Sequence, residues 1–288
     1  MRFVFATKIL RLRPLADAID VIAKAGFSGV ELMADRPHAF PEDLGAPRIS
    51  ALNQSLGGRK LKVSSLNASA VTAVGDAHNP TWLEEDWQKR ELRIRYTLDC
   101  LRLASVLGVP AVTILPGGPI PKSTNRGDAW RLFVASLHRI LPLARKLGVQ
   151  VLLEPSPEML IATSSHLLEF LNEFEFDPNL KVGFDVVHLF CVGENPLEAY
   201  EQLKAHVGLV RLADAPENRD HCHLQLGEGV LDLQEFLKGL EASGYQGFVS
   251  VQPDCHDQNV EKIIYGAAGY LQEAGFIKKK LDYCVYNP

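Results

Sequence analysis

The chain has 288 residues, 47% of them hydrophobic, and a net charge of −5 with no long run of Lys or Arg. That is enough apolar material for one large core, and it excludes a strongly basic surface for a nucleic-acid backbone or an anionic membrane. Five cysteines, Cys100, Cys191, Cys222, Cys255 and Cys284, show no CxxC spacing, so neither a disulfide framework nor a thiolate zinc site is expected, and a cytoplasmic location is.

The opening MRFVFATK holds too short an apolar run for a signal-peptide core, and no window approaches the roughly eighteen apolar residues of a membrane span. The first strand is predicted over residues 2–6. The first helix follows from Pro14, with Leu15, Ile19 and Ile22 on one face and Gly26 just past its end. Further strands are predicted at 29–33, 61–67, 111–115, 149–154, 181–185, 208–213 and 247–252. The helix over residues 84–107 carries Ile94, Leu98, Leu101 and Ala104, and Gly108, Gly148 and Gly244 stop helices just before AVTIL, VQVLLE and GFVSVQ.

Such βα alternation requires a parallel sheet covered by helices, either closed or doubly wound. About eight repeats favour closure, and ATKILRLRP after the first strand lacks the glycines of a dinucleotide-binding turn. The expectation is an α/β protein, a (β/α)8 TIM barrel forming one domain over residues 1–288. Its active site then lies at the C-terminal ends of the strands.

Those ends supply the candidates: Glu31, Asn67, Glu154, Asp185 with His188 one turn on, Arg211 with Asp214, and Gln252. Glu154 closes the apolar run 149–153, where its charge needs a partner; the alternative is a carboxylate that caps the next helix. In GFDVVH the D-x-x-H spacing lets both side chains face one cavity as ligands or an acid/base pair; the alternative is an N-cap and a packed histidine. His221 and His223 in DHCHLQLGEG can present two imidazoles together. His38 after the second strand either reaches over the mouth or stabilises its turn. The glycines of LGEG suggest either a phosphate cradle or a simple chain reversal. Residues 68–84, with His78 and Trp82, and PGGPIPKSTNRGD are expected to form much of the lid.

The pieces AGFSGVEL, QKRELRIRYTLDCLRLASVLGV, GVQVLLEP, VGFDVVH, LVRLADAPENR and HLQLGEGVLD together resemble the xylose isomerase-like TIM-barrel superfamily. The likeness is to sugar phosphate isomerases and epimerases and hydroxypyruvate isomerase, and more distantly to abasic-site nucleases of the endonuclease IV type. The resemblance implies one divalent metal held by a Glu after strand five, an Asp after strand six, a His or Gln on strand seven and a Glu on strand eight. Glu154 and Asp185 match, but Arg211 and Gln252 stand at the other two places. A guanidinium has no lone pair to offer a cation. Two Glu, one Asp and a neutral His around a divalent ion leave one net negative charge, and so do Glu154, Asp185 and Arg211 beside neutral Gln252. Arg211 is therefore expected in the metal's place, bridging Glu154 and Asp185. A second place for a metal, implied by the nucleases, falls on His188, His221 and His223. The cofactor is thus left unknown, a single Mn, Zn or Mg ion being weighed against the arginine.

What the resemblance implies chemically is proton transfer next to a carbonyl through an enediolate, with Glu154 as base, Arg211 or a metal as electrophile, and His188 and Arg219 orienting hydroxyls or a phosphate. Asn67, Gln252 and His38 are further substrate-binding candidates. Two rival readings share the barrel: a sugar or cyclitol dehydratase, and a non-catalytic sugar-binding barrel. The partner expected is a small carbohydrate-like molecule, with neither nucleic acid nor membrane involved, and a homodimer is common among the resembling families.

Overall fold

Each strand pairs in parallel with the next, and the last pairs with the first, closing an eight-stranded barrel. The computed structural model describes residues 1–76, 78–254 and 259–278. The strands are β1 Arg2–Ala6, β2 Gly29–Met33, β3 Lys62–Asn67, β4 Ala111–Ile114, β5 Gln150–Leu153, β6 Leu180–Asp185, β7 Val207–Leu212 and β8 Phe248–Val251. Interleaved with them run α1 Leu15–Ala25, α2 Ala46–Gly58, α3 Trp87–Leu107, α4 Arg126–Leu147, α5 Ser164–Asn172, α6 Val186–Cys191, α7 Pro196–Leu203, α8 Leu233–Ala242 and α9 Val260–Glu273.

Boundaries differ from the predicted ones by one to three residues for physical reasons. Glu154 and Gln252 lie just past the ends of β5 and β8, where the ladder stops and side chains are free to turn into the mouth. The helix expected from residue 84 begins at Trp87, because Asp86 takes the N-cap position and accepts from the Gln88 amide. Gly26, Gly108 and Gly148 end α1, α3 and α4 with positive φ, the left-handed cap that glycine adopts without steric cost.

The main core lies between the strands and the helical shell. Inside the barrel, Ala111, Leu152 and Leu209 pack with Phe248 as a separate apolar plug. Above it the interior turns polar: Glu31, Ser65, Thr113, Arg211 and Ser250 are all buried. That layer is the floor of the site.

The segment after β3 is anchored from below. Arg93 of α3, buried, donates to the carbonyls of Pro80, Ala68 and His78. Trp82, expected in the lid, is fully buried against Phe133 instead, whereas His78 stays at the cavity. Among the described residues no helix is long and apolar enough to cross a membrane. Cys100, Cys191 and Cys222 are free thiols; Cys255 and Cys284 lie outside the described residues.

Candidate active site

Arg211 stands on β7, opposite Asp185 of β6 and Ser250 of β8 in the ladder. Its side chain is 1% exposed and runs across the barrel interior to Glu31 of β2. Nε and Nη2 donate to the two Glu31 oxygens, and Nη1 is ion-paired with Oε2 of Glu154. Glu31 accepts two further bonds, from Ser65 Oγ at 3.2 Å and Ser250 Oγ at 2.6 Å. Its acceptor sites are thereby filled, which marks it as the counter-ion that fixes the guanidinium.

The expected bridge between Glu154 and Asp185 is therefore corrected: Arg211 joins Glu154 to Glu31. Asp185 is already committed elsewhere. One of its oxygens caps α6, accepting from the Val187 and His188 amides at 2.9 and 3.1 Å, and the other lies 3.3 Å from His223 Nε2. The N-cap alternative for Asp185 holds for one oxygen, while the other meets His223.

His223 is held on both sides, since its Nδ1 lies 3.4 Å from Asp254 Oδ2. Burial opposes a charge there, but Asp185 and Asp254 outweigh it and push the imidazole up to about 9. Asp185 itself is held below the usual carboxylate range despite its burial, by His188, His223 and the helix amides. Asp254 falls to about 2, its partial burial outweighed by the His223 contact. His188 behaves oppositely: burial, aided by the neighbouring His223 and His221, brings it down to about 4. Its Nδ1 donates to the Pro155 carbonyl at 2.8 Å and lies 3.4 Å from Glu154 Oε1. That fixes the neutral tautomer with Nε2 open. The His188 ring meets those of His221 and His223 at 4.6 and 5.0 Å between centroids.

These groups open onto a cavity of about 200 Å³ lined by Lys8, Asn67, Ser69, His78, Glu154, His188, Arg211, His221, His223, Gln252 and Asp254, among others. Asn67 Nδ2 lies 3.4 Å from the Gln252 carbonyl oxygen, so these two candidates sit side by side on one wall. Two other candidates do not belong here. His38 has both ring nitrogens engaged, with Thr7 Oγ1 and the Arg13 carbonyl at 3.1 Å each, and lines an outer apolar cavity. It stabilises the turn after β2. Arg219, at positive φ, lies over the Phe190 ring in a larger outer cavity of about 500 Å³ beside α6 and α8. That cavity is bigger, yet it holds none of the polar barrel residues. The LGEG glycines likewise serve the chain reversal: Asp214 accepts from the amides of Ala215, Gly227 and Leu231.

A metal at the place implied by the resemblance does not fit this donor set. The strand-seven position presents a buried guanidinium, one Glu154 oxygen is bound to it, and Asp185 is shared between α6 and His223. The second place fits better in donor type. Ligand atoms of His188, His221 and His223 lie within 4.8 Å of one another, as do those of Glu154, Asp185 and His188, and the Nδ1 bond to Pro155 orients His188 as an outer-shell partner would. A zinc or manganese ion there would need His223 to give up one of its carboxylate contacts, and it would act as a Lewis acid on a substrate oxygen.

Sequence reading did not single out Lys8, Ser69 or Asp254, and it gave Glu31 no partner. Lys8 and Asp254 lie just beyond β1 and β8, so the strand-end rule reaches them when charged residues two or three positions further on are included.

The family described as a xylose isomerase-like TIM barrel matches residues 19–280. Curated relatives include an uncharacterized protein of Methanocaldococcus jannaschii, 25% identical, with 88% of this chain and 83% of that one covered. Fructoselysine 3-epimerase of Escherichia coli O157:H7 is 22% identical, over 83% of this chain and 85% of its own length. Among solved structures, 3-keto-D-glucoside 4-epimerase from E. coli superposes with a TM-score of 0.79 at 16% identity, covering 95% of this chain and 99% of that one, a likeness of fold. Other curated relatives include an inosose dehydratase of Lacticaseibacillus casei and a putative hydroxypyruvate isomerase of Streptomyces coelicolor, 22% and 25% identical to this chain. With a closed parallel barrel and a family match over nearly its whole length, the chain belongs to the xylose isomerase-like TIM-barrel family.

Proposed function

We propose that the protein is an isomerase or epimerase of a small sugar, sugar phosphate or related hydroxy-carbonyl compound, working through an enediolate. The observation that carries this reading is the placement of Glu154 on the cavity wall with a fixed cation, Arg211, against one of its oxygens. In the reaction, the C–H bond next to the substrate carbonyl breaks and its proton passes to the Glu154 carboxylate. The electron pair forms the enediolate double bond, and the carbonyl pair moves onto oxygen. The same carboxylate then returns the proton to the former carbonyl carbon, while the adjacent hydroxyl gives its proton to the oxyanion and its oxygen becomes the new carbonyl. Such a transfer needs one base.

Epimerisation by two bases on opposite faces is less well supported, because the strand-eight side chain is Gln252, whose amide takes up no proton. A preorganised donor facing the developing oxyanion lowers the barrier without reorganisation. Arg211 supplies fixed positive charge beside the site, with Asn67 and His188 in reach of hydroxyls along the same cavity.

The second reading, a dehydratase, is favoured by one feature: elimination needs an acid at the leaving hydroxyl, and the doubly held His223 is cationic at neutral pH. Incubating the protein in deuterium oxide with a panel of small ketoses, ketose phosphates and inosose-like compounds separates them. An isomerase gives a product whose mass is unchanged apart from any deuterium taken up, a dehydratase product loses water, and neither exchange nor a product with any compound removes both readings.

A further inference from the structure

Lys8 sits in the 3-10 turn Thr7–Leu10 directly after β1, and its side chain lines the same cavity as Glu154 and Arg211. None of the ion pairs among the described residues involves Lys8, and the acids nearby have other partners. Glu154 is taken by Arg211, and Asp185 and Asp254 by His223. The ammonium nevertheless lies close enough for its charge to reach Asp254, His78 and His221. Ser69 lines the same cavity, and its hydroxyl is buried with no hydrogen-bond partner among the described residues. Among the described residues, a cation in no direct ion pair and an unfilled hydroxyl thus line one small cavity, an arrangement suited to receiving an oxyanion.

We propose that Lys8 and Ser69 form an anion subsite, so that the compound taken is a hydroxy-carbonyl acid or phosphate ester and not a neutral sugar. This rests on the hydroxy-carbonyl reading of the site and narrows its substrate class. Lys8 grips the anionic end as a point charge on a flexible stem, while Glu154 and Arg211 stand at the buried end of the same cavity. A volume of about 200 Å³ suits a compact molecule, since ligand pockets commonly run to ~300–1,000 Å³.

The test is titration of the full chain with inorganic phosphate, with pyruvate and with neutral dihydroxyacetone, followed by NMR of the histidine rings and by calorimetry. The wild type is expected to bind phosphate or pyruvate saturably, and which of the two binds tells a phosphate-ester from a carboxylate substrate. Lys8→Met, checked for an unchanged Tm, should weaken that anion at least tenfold while leaving dihydroxyacetone as it was. Lys8→Arg should retain it within about threefold, and Ser69→Ala should weaken it further in the Lys8→Arg background. Equal anion affinity in Lys8→Met and wild type, or no saturable binding of either anion by the wild type, overturns the subsite. Should Lys8→Met be unstable, Lys8→Gln gives the same comparison. Glu154→Gln is expected to keep anion binding, so loss of the proton-transfer reading leaves this measurement standing by itself.

Discussion

Arg211 and Glu31 meet across the inside of the barrel, from β7 to β2, through a two-point ion pair in which neither side chain is more than 1% exposed. A guanidinium left there without its acid would be a bare buried charge. With Glu31 saturated by Ser65 and Ser250, Arg211 is fixed and its remaining nitrogen is presented to Glu154. One cation thus joins Glu31 inside the barrel to Glu154 at the cavity.

Arg211→Met is expected to destabilise the fold by about 3–5 kcal/mol, because it leaves Glu31 and Glu154 uncompensated in a buried place. The double variant Arg211→Met with Glu31→Leu should recover a substantial part of that loss. Urea unfolding of the three proteins checks this, and a double variant no more stable than the single one contradicts it.

Glu154→Gln should abolish proton exchange into substrate, by roughly a hundredfold or more, as expected for loss of a general base. The side chain keeps its shape, and Arg211 keeps Glu31 as a partner, so substrate affinity should change little. Exchange that continues at the wild-type rate would assign the base to another group.

The two buried histidines give stability opposite limbs in pH. His223 is raised from its ordinary 6.5 to about 9, so its contribution is complete below about 6.5 and is lost as pH rises through about 9. His188 is lowered from 6.5 to about 4, so its contribution is present above about 6.5 and is lost as pH falls through about 4. Unfolding of chelator-treated protein should therefore show greatest stability near neutrality, and His223→Asn should flatten the alkaline limb while also changing the acid limb, because Asp185 and Asp254 lose the contact that lowers them. An alkaline limb unchanged in that variant would sink the assignment.

Arg93→Ala should free the segment after β3, since three of its carbonyls lose their shared donor. Proteolysis between residues 68 and 84 is expected to accelerate, with a rise in KM larger than any change in kcat. Unaltered cleavage would show that Trp82 packing and the bonds from Thr72 and Ala73 to Asp35 hold the segment without Arg93.

The barrel was readable because its signals are local: alternating strands and helices, glycine caps at Gly26, Gly108 and Gly148, and polar residues at strand ends. Glu154, His188, Arg211, His223, Asn67 and Gln252 converge on one cavity because the strand-end rule is geometric, with Asp185 behind them against His223. The pairing was not readable. Nothing local couples Glu31 to Arg211, which stand 180 positions apart, and the competition for Asp185 between a helix cap and a histidine appears only in three dimensions. His38 and Arg219 were misplaced for a similar reason: both follow the right strands, but each side chain turns outward, to Thr7 and Arg13 or onto Phe190.

The most direct test of arginine in the metal's place is anomalous diffraction from crystals of the wild type and of Arg211→His, each equilibrated with manganese. With Arg211 present, no ion should lie within bonding distance of Glu154, whereas Arg211→His should admit one between Glu154 and Asp185. Manganese bound to Glu154 at full occupancy in the wild type would contradict the account.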